Sequence, residues 1–468
     1  MPDLEPFGKV AVRAPEPRGG RSGIRPAAGG ELPRFDRAVK AITMFGLGSR
    51  SARDVAILVG GAIVAQGLPA LLSPVLTRLY SPAEFGQYSL VSALAAFIAV
   101  GLTGRFELAI PLPRSDWRAR NLVYAALLLA AVLAAVLLAL ALLWHVLAGR
   151  TLAYGWSSTA AAIAITAFFI AAYQTLSYFL IRLGRFRQMS LARMGQAVTW
   201  LGIAIPLGLA GVSGGLTLGY LAGWAAAAVL ALLQLLPRLR SLPGARLGHV
   251  AATVRRYRDH AVHGAVPAML DSASLSIPMV VLFLYHTTAD VGQFNLTRQV
   301  AYAAPALLST AVSQVFLRRI SVLTAEGRPT TALFLTTARK LALVAAIYLA
   351  AVLLLAKPAI TFLFGEAWHV VGDYALILAP SHAVRLVATP LSLALVATGR
   401  MRTLAMWQVS YFATSSVLFL FRNVDAYQLL VIYCIIDFAL YAFYFLLSLR
   451  AVEAFDANQG RLAEVGRT

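Results

Sequence analysis

"PVLTRLYSPAEFGQYSL", residues 74–90, has a partner further along the chain: "PMVVLFLYHTTADVGQFNL", residues 278–296. Pro74, Leu79, Tyr80, Gly86, Gln87 and Leu90 match Pro278, Leu284, Tyr285, Gly292, Gln293 and Leu296 in the same order, and Gly292 lies 206 residues after Gly86. A second pair follows. "LSYFLIRLGRFR" (176–187) and "LSLALVATGRMR" (391–402) share Leu-Ser and, after six residues, Gly-Arg-x-Arg, with Gly399 lying 215 residues after Gly184. Two matches in one order at similar offsets indicate a duplicated unit.

Composition says what the unit is made of. Of 468 residues, 59% are hydrophobic and only 13% charged, too little polar surface for a soluble chain of this length. Twelve apolar stretches read as membrane spans: 55–76, 85–103, 121–147, 158–181, 194–211, 216–236, 264–286, 293–316, 341–356, 371–397, 403–421 and 427–449. Short alternating segments of the β-barrel kind are not evident. The fold expected is an all-α polytopic membrane protein of about twelve transmembrane helices.

The formal net charge of +20 would suggest nucleic acid in a soluble protein, but here the cations sit in short loops. Loops after even-numbered spans hold 21 Arg and Lys, whereas only Arg78, Arg150, Lys357 and Arg422 follow odd-numbered ones. That bias places the even loops and both termini in the cytoplasm, with no nucleic-acid partner expected. Six spans per unit is an even number, so both copies enter the membrane in the same direction. Two parallel six-helix repeats around a central cavity follow, an architecture suited to alternating access.

The expected organisation has five parts. Residues 1–50, rich in Pro, Gly and Arg, form a disordered basic cytoplasmic extension, with Met44 as a candidate true start. Residues 51–236 are an N-lobe, 237–263 a basic cytoplasmic linker, 264–449 a C-lobe and 450–468 a cytoplasmic tail. The single Cys434 permits neither a disulfide nor a thiolate metal site within one chain. No metal-ligand spacing, nucleophile elbow or Walker loop appears, so no cofactor and no catalytic group is expected, and transport would run on an ion gradient or downhill. "GGLTLGY" (214–220) reads as a helix-packing stretch.

Ionisable residues inside spans are costly and mark function or pairing. Four stand out: Asp271, Arg298, Arg385 and Asp437. Asp271 and Arg298 lie about 10 Å apart in depth by helical rise, too far for a direct ion pair unless Pro267 and Pro278 break span seven. They read as an acidic cation site and a basic anion site, or as charges satisfied by neighbours such as Asn295 and Gln299. Asp271, with Ser272, Ser274 and Ser276, forms a candidate proton or sodium site. Arg385 and Asp437 read equally as a structural pair, and His382 lies one turn from Arg385.

Four stretches carry a resemblance: "SPVLTRLYSPAEFGQYSL" (73–90), "GRFELAIPLPRSD" (104–116), "YFLIRLGRFR" (178–187) and "FLFGEAWHVVGDYALILAP" (362–380). Over about residues 50–450 the chain resembles bacterial polysaccharide-biosynthesis flippases of the O-antigen type, within the multidrug/oligosaccharidyl-lipid/polysaccharide exporter superfamily. The resemblance implies two six-helix lobes around a cationic cavity in the bacterial inner membrane. It implies transfer of undecaprenyl-diphosphate-linked oligosaccharide from the cytoplasmic to the periplasmic leaflet, with ion-coupled antiport. Membrane lipids and other glycan-assembly membrane proteins are the further candidate partners. Arg105, in the Gly-Arg-aromatic-Glu motif, would meet the diphosphate at the cytoplasmic mouth, with Glu107 orienting it. A topology anchor is the competing reading. Arg78 would serve the release side, and Arg298 and Arg385 complete the candidate anion-binding set. Asp271, Ser274 and Asp437 are the ion-coupling candidates. A multidrug or cation antiporter on the same fold and a membrane-embedded glycan polymerase or ligase are the alternatives.

Overall fold

The computed structural model describes the backbone at residue 65 and over 67–147, 150–242 and 247–465. Side chains are described there except at 145, 150–157, 247, 258–268, 271, 304, 460 and 462–465. The expected extension 1–50 and Met44 lie outside the described residues, as does the Asp271 side chain. The described residues are helical, with no strand among them. In chain order the helices are α1 (67–79), α2 (Pro82–Leu102), α3 (Asp116–Leu147), α4 (Arg150–Arg182), α5 (Phe186–Leu209), α6 (Gly215–Ser241) and α7 (Leu247–Tyr285). Then come α8 (Thr288–Ala301), α9 (Ala303–Ala325), α10 (Thr331–Phe364), α11 (His369–Leu391), α12 (Leu393–Ala397), α13 (Met401–Ser416) and α14 (Ala426–Val465). Among the described residues, eight helices are long and apolar enough to cross a membrane. Large apolar side chains on them face outward, including Phe362 (83% exposed) and Trp144 (63%), as lipid rather than water requires. This is an all-α, multi-pass membrane protein, and each stretch read as a span coincides, over its described residues, with a helix or with a broken pair of helices.

Two breaks fall differently from expectation. The eighth span, read as continuous over 293–316, is interrupted at Tyr302 between α8 and α9. Pro305, the third residue of α9, has no N–H for the Ala301 carbonyl, so the ladder lapses there. In contrast, α7 runs helically through both Pro267 and Pro278. Each proline removes one hydrogen bond, and a span packed against its neighbours tolerates that loss.

The duplication is visible in the backbone. The α2 helix starts on a capping box formed by Ser81 and Glu84, and α8 starts on one formed by Thr287 and Asp290, one repeat later. Each box satisfies two otherwise orphaned N–H groups. The second matched pair forms the same turn twice. Gly184 (φ +67°) and Gly399 (φ +74°) take the left-handed conformation that ends a helix. The following amides reach back five residues, Arg185 to Leu180 and Arg400 to Leu395, at 2.9 and 2.8 Å. Within the first copy, α5 and α6 pack closely because Gly219 and Gly223 press onto the backbone of Trp200 and Gln196, as the small residues of that stretch suggest.

Candidate functional site

The two copies meet where α2 runs against α8 and α7. A β-carbon on Gly86 would lie 1.7 Å from the Thr288 carbonyl oxygen, and one on Gly292 would lie 2.1 Å from that of Pro82. Thr288 stands to Pro82 as Gly292 stands to Gly86, so the contact is reciprocal, as a pseudo-twofold axis between the helices demands. Only glycine permits this approach. A mixed core seals the same end. Leu76, Tyr80, Phe85, Tyr88 and Trp200 of the first copy cluster with Leu296, Ile360, Phe364, Trp368 and Val371 of the second. Trp368 is buried, donates its indole N–H to the Thr77 carbonyl at 3.0 Å and meets the Phe85 ring edge-on at 4.9 Å. In the sequence Trp368 falls between the spans 341–356 and 371–397. Only its place in the quoted Gly-Glu-Ala-Trp stretch hinted at more.

At the opposite end, Thr103 to Asp116 form a tight corner. Gly104 and Arg105 both have positive φ, and among the described residues Arg105 is the one non-glycine that does. That conformation costs an arginine about 1–2 kcal/mol. Glu107, buried to 1% exposure, holds it there. Its carboxylate accepts the Thr103 hydroxyl at 2.5 Å and the Arg105 guanidinium at 3.3 Å. Arg182, counted from sequence only as a topology charge, closes the corner. It donates to the carbonyls of Pro111 (3.1 Å) and Pro113 (2.6 Å) and to Asp116 (3.0 Å), which also binds Arg238 at 2.6 Å. The Pro-x-Pro of this loop therefore presents two carbonyls to one arginine.

The intramembrane charges separate into two settings. Arg385 (α11) and Asp437 (α14) are buried and bidentately paired, with Arg385 Nε on Asp437 at 2.7 Å. Tyr411 donates to Asp437 at 2.9 Å, Arg385 reaches the hydroxyls of Tyr411 and Tyr433 at 2.6 and 3.2 Å, and Tyr441 lies under the guanidinium at 4.6 Å. The pair is thereby neutralised and held by three tyrosines. His382, also buried, packs on the Tyr302 ring at 4.8 Å and lies 3.4 Å from the Tyr348 hydroxyl. The helix break at Tyr302 thus abuts this cluster.

Arg298 is different. It is half-buried on α8, donates to the Leu275 carbonyl of α7 at 3.4 Å and lies 5.8 Å from the Phe294 ring centre. No carboxylate of the described residues pairs with it. The neighbours expected for it, Asn295 and Gln299, make no side-chain bond to it, and a backbone carbonyl takes their place. On α7, Ser274 and Ser276 donate to their own helix, to Leu270 (2.6 Å) and Ser272 (3.0 Å). Arg78, at the end of α1, is exposed. The site candidates are thus not one cluster: Arg385 joins Asp437, with Arg298 in electrostatic reach of Tyr302, His382 and Tyr433 beside that pair, Arg105 joins Glu107, and Arg78 stands apart. No group of three or more His, Cys, Asp or Glu among the described residues is arranged to hold a metal.

Two helical repeats joined on a pseudo-twofold axis, with a half-buried arginine that no described carboxylate pairs, define a two-lobed membrane transporter fold. Solved structures share it. A lipid II flippase, MurJ, in an inward closed conformation is 12% identical, with 87% of this chain and 92% of that chain aligned at a TM-score of 0.64. An inward-facing multidrug resistance MATE family transporter of the MOP superfamily is 15% identical over 90% and 99%, at 0.54. A MOP superfamily transporter from Pyrococcus furiosus is 15% identical over 90% and 96%, at 0.52. No curated protein matches the sequence. The chain belongs to the polysaccharide biosynthesis protein family, whose model matches residues 51–323.

Proposed function

We propose that this transporter flips a polyprenyl-diphosphate-linked oligosaccharide across the bacterial inner membrane, from the leaflet facing the arginine-rich loops to the other. The observation that carries this reading is Arg298, a half-buried guanidinium of the second copy that meets a carbonyl and a ring face but no described carboxylate. A membrane-embedded cation in that state attracts a diphosphate and disfavours a cationic drug. Arg105, held in a strained turn by Glu107, is the entry contact in this scheme, and Arg78 the release contact. Arg385 is neutralised by Asp437 and serves the packing of the second lobe, so it leaves the set of anion contacts. Asp271 is retained as the residue whose protonation or sodium binding couples transport to an ion gradient, with Ser274 beside it.

The test is export of the glycan repeat in cells lacking the chromosomal copy. Arg298→Gln is expected to abolish surface glycan and to accumulate lipid-linked repeat on the inner leaflet, at normal protein level. Arg298→Lys should keep part of the activity, because a point charge still attracts phosphate. Full export by Arg298→Gln would exclude the diphosphate contact, and poor insertion of that variant would assign Arg298 to folding.

Orientation is tested separately. Cysteines placed at Gly214 or Asn423 should react with an impermeant maleimide added to whole cells, and those at Gly327 or Met401 only after the membrane is opened. The reverse pattern would exchange the entry and release roles of Arg105 and Arg78.

A further inference from the structure

The α9 and α10 helices are among the spans least buried by the rest of the protein, with 17% and 11% of their apolar windows covered. They touch through Phe316 and Phe334, both buried, whose ring centres lie 6.3 Å apart. Beside that contact the helices leave a groove of about 390 Å³, one wall running from Leu308 to Arg319 and the other from Leu333 to Val344. At helical rise each wall is about 16 Å long, close to the hydrocarbon depth of one leaflet. The groove is apolar except for Thr337 and two cations, Arg319 on α9 and Lys340 on α10. Both are exposed, and no carboxylate of the described residues pairs with either. Asp456 of α14 fixes the geometry by accepting the Thr330 and Thr331 amides at 2.7 and 2.9 Å, so it caps the start of α10 from outside the hairpin.

A second groove provides the contrast. Between α3 and α4, Ala131, Leu138, Ile165 and Phe168 line a lipid-facing cleft of about 240 Å³ without any charged residue. Any hydrocarbon tail fills such a cleft. The α9–α10 groove adds two cations that no described carboxylate pairs to a slot of one leaflet's depth, the arrangement that selects an anionic headgroup among lipids.

We infer that the α9–α10 groove is a binding site for an anionic diacyl phospholipid, its phosphate held between Arg319 and Lys340 and an acyl chain lying along Val312 and Val344. The long lysine side chain snorkels along the wall toward the headgroup. This site does not include Arg298, and it stands or falls independently of the substrate proposed above.

The experiment is native mass spectrometry of the purified full chain in a neutral detergent. It is titrated with phosphatidylglycerol, with phosphatidylethanolamine and with undecaprenyl phosphate. The doubly substituted Arg319→Gln, Lys340→Gln chain should bind phosphatidylglycerol at least about tenfold more weakly, with phosphatidylethanolamine adducts unchanged. The charge-preserving Arg319→Lys, Lys340→Arg chain should bind it as the parent does. Val312→Phe, which fills the groove and keeps both charges, should also weaken it. All three variants must elute as the parent does in size exclusion. Undiminished phosphatidylglycerol binding by the Gln variant, or an equal loss of phosphatidylethanolamine, overturns the proposal. Tighter binding of undecaprenyl phosphate, with displacement of phosphatidylglycerol, also overturns it and gives the groove to the substrate's own tail.

Discussion

Gly86→Leu is expected to abolish glycan export while the protein still inserts. The β-carbon alone would sit 1.7 Å from the Thr288 carbonyl oxygen, so α2 and α8 must separate before the side chain is accommodated. A backbone carbonyl cannot swing aside as a long side chain does. Overpacking of this kind costs about 1–3 kcal/mol, which depletes the closed arrangement of this end by about 5–150-fold relative to any state in which the helices are apart. Gly292→Leu should do the same from the other copy, where the obstacle is the Pro82 carbonyl at 2.1 Å. Gly202, with nothing within 4 Å of its added β-carbon, is the control, and Gly202→Leu should export normally. The structural readout is a cysteine at Thr77, behind the Trp368 indole: it should be protected from maleimide in the parent and become reactive in Gly86→Leu. Normal export by Gly86→Leu, with Thr77 still protected, would show that closure here is not part of the transport cycle.

The second large effect is on stability. Asp437→Leu is expected to cost about 3–5 kcal/mol, because it leaves the Arg385 guanidinium buried without its counter-charge. Tyr411 and Tyr433 would remain as its neutral partners. Arg385→Met should cost a similar amount by stranding the carboxylate. The double variant Arg385→Met, Asp437→Leu should recover most of the loss, since replacing both charges removes the desolvation penalty together with the attraction. Thermal unfolding of the detergent-solubilised protein, in parallel with export, separates the roles. Recovery of both unfolding temperature and export in the double variant would fix the pair as structural. Recovery of stability without export would return Asp437 to the coupling candidates. Single variants that melt with the parent would show that the bidentate geometry contributes nothing to the folded state.

These two effects differ in how far they were legible in the chain. Gly86 and Gly292 were matched as equivalents by the repeat, and a glycine repeated at one register points to a close backbone approach. That they approach each other could not be read, because hydropathy and periodicity describe a helix and its neighbours in sequence only. Arg385 and Asp437 were identified as costly intramembrane charges, 52 residues apart, and their pairing was left open between structure and transport. The bond between them depends on how α11 and α14 rotate in the packed lobe. The prolines of α7 mislead for a related reason. A proline removes one hydrogen bond wherever it stands, but whether the helix then breaks depends on what packs around it: α7 continues, and Pro305 ends α8.

The sequence by itself determined the apolar spans and their order, the duplication, and the positions of the charges that a membrane makes expensive. All of these follow from local composition and from spacing along one chain. The tertiary structure alone decided which charges are spent on each other and which remain available. Arg182 reaches Asp116 across 66 residues, Trp368 reaches Thr77 across 291, and Arg298 meets the α7 backbone. Those partnerships depend on the relative placement of helices. That placement is set by close contact of small residues and by interdigitated side chains summed over whole lobes, and no local stretch of sequence encodes it.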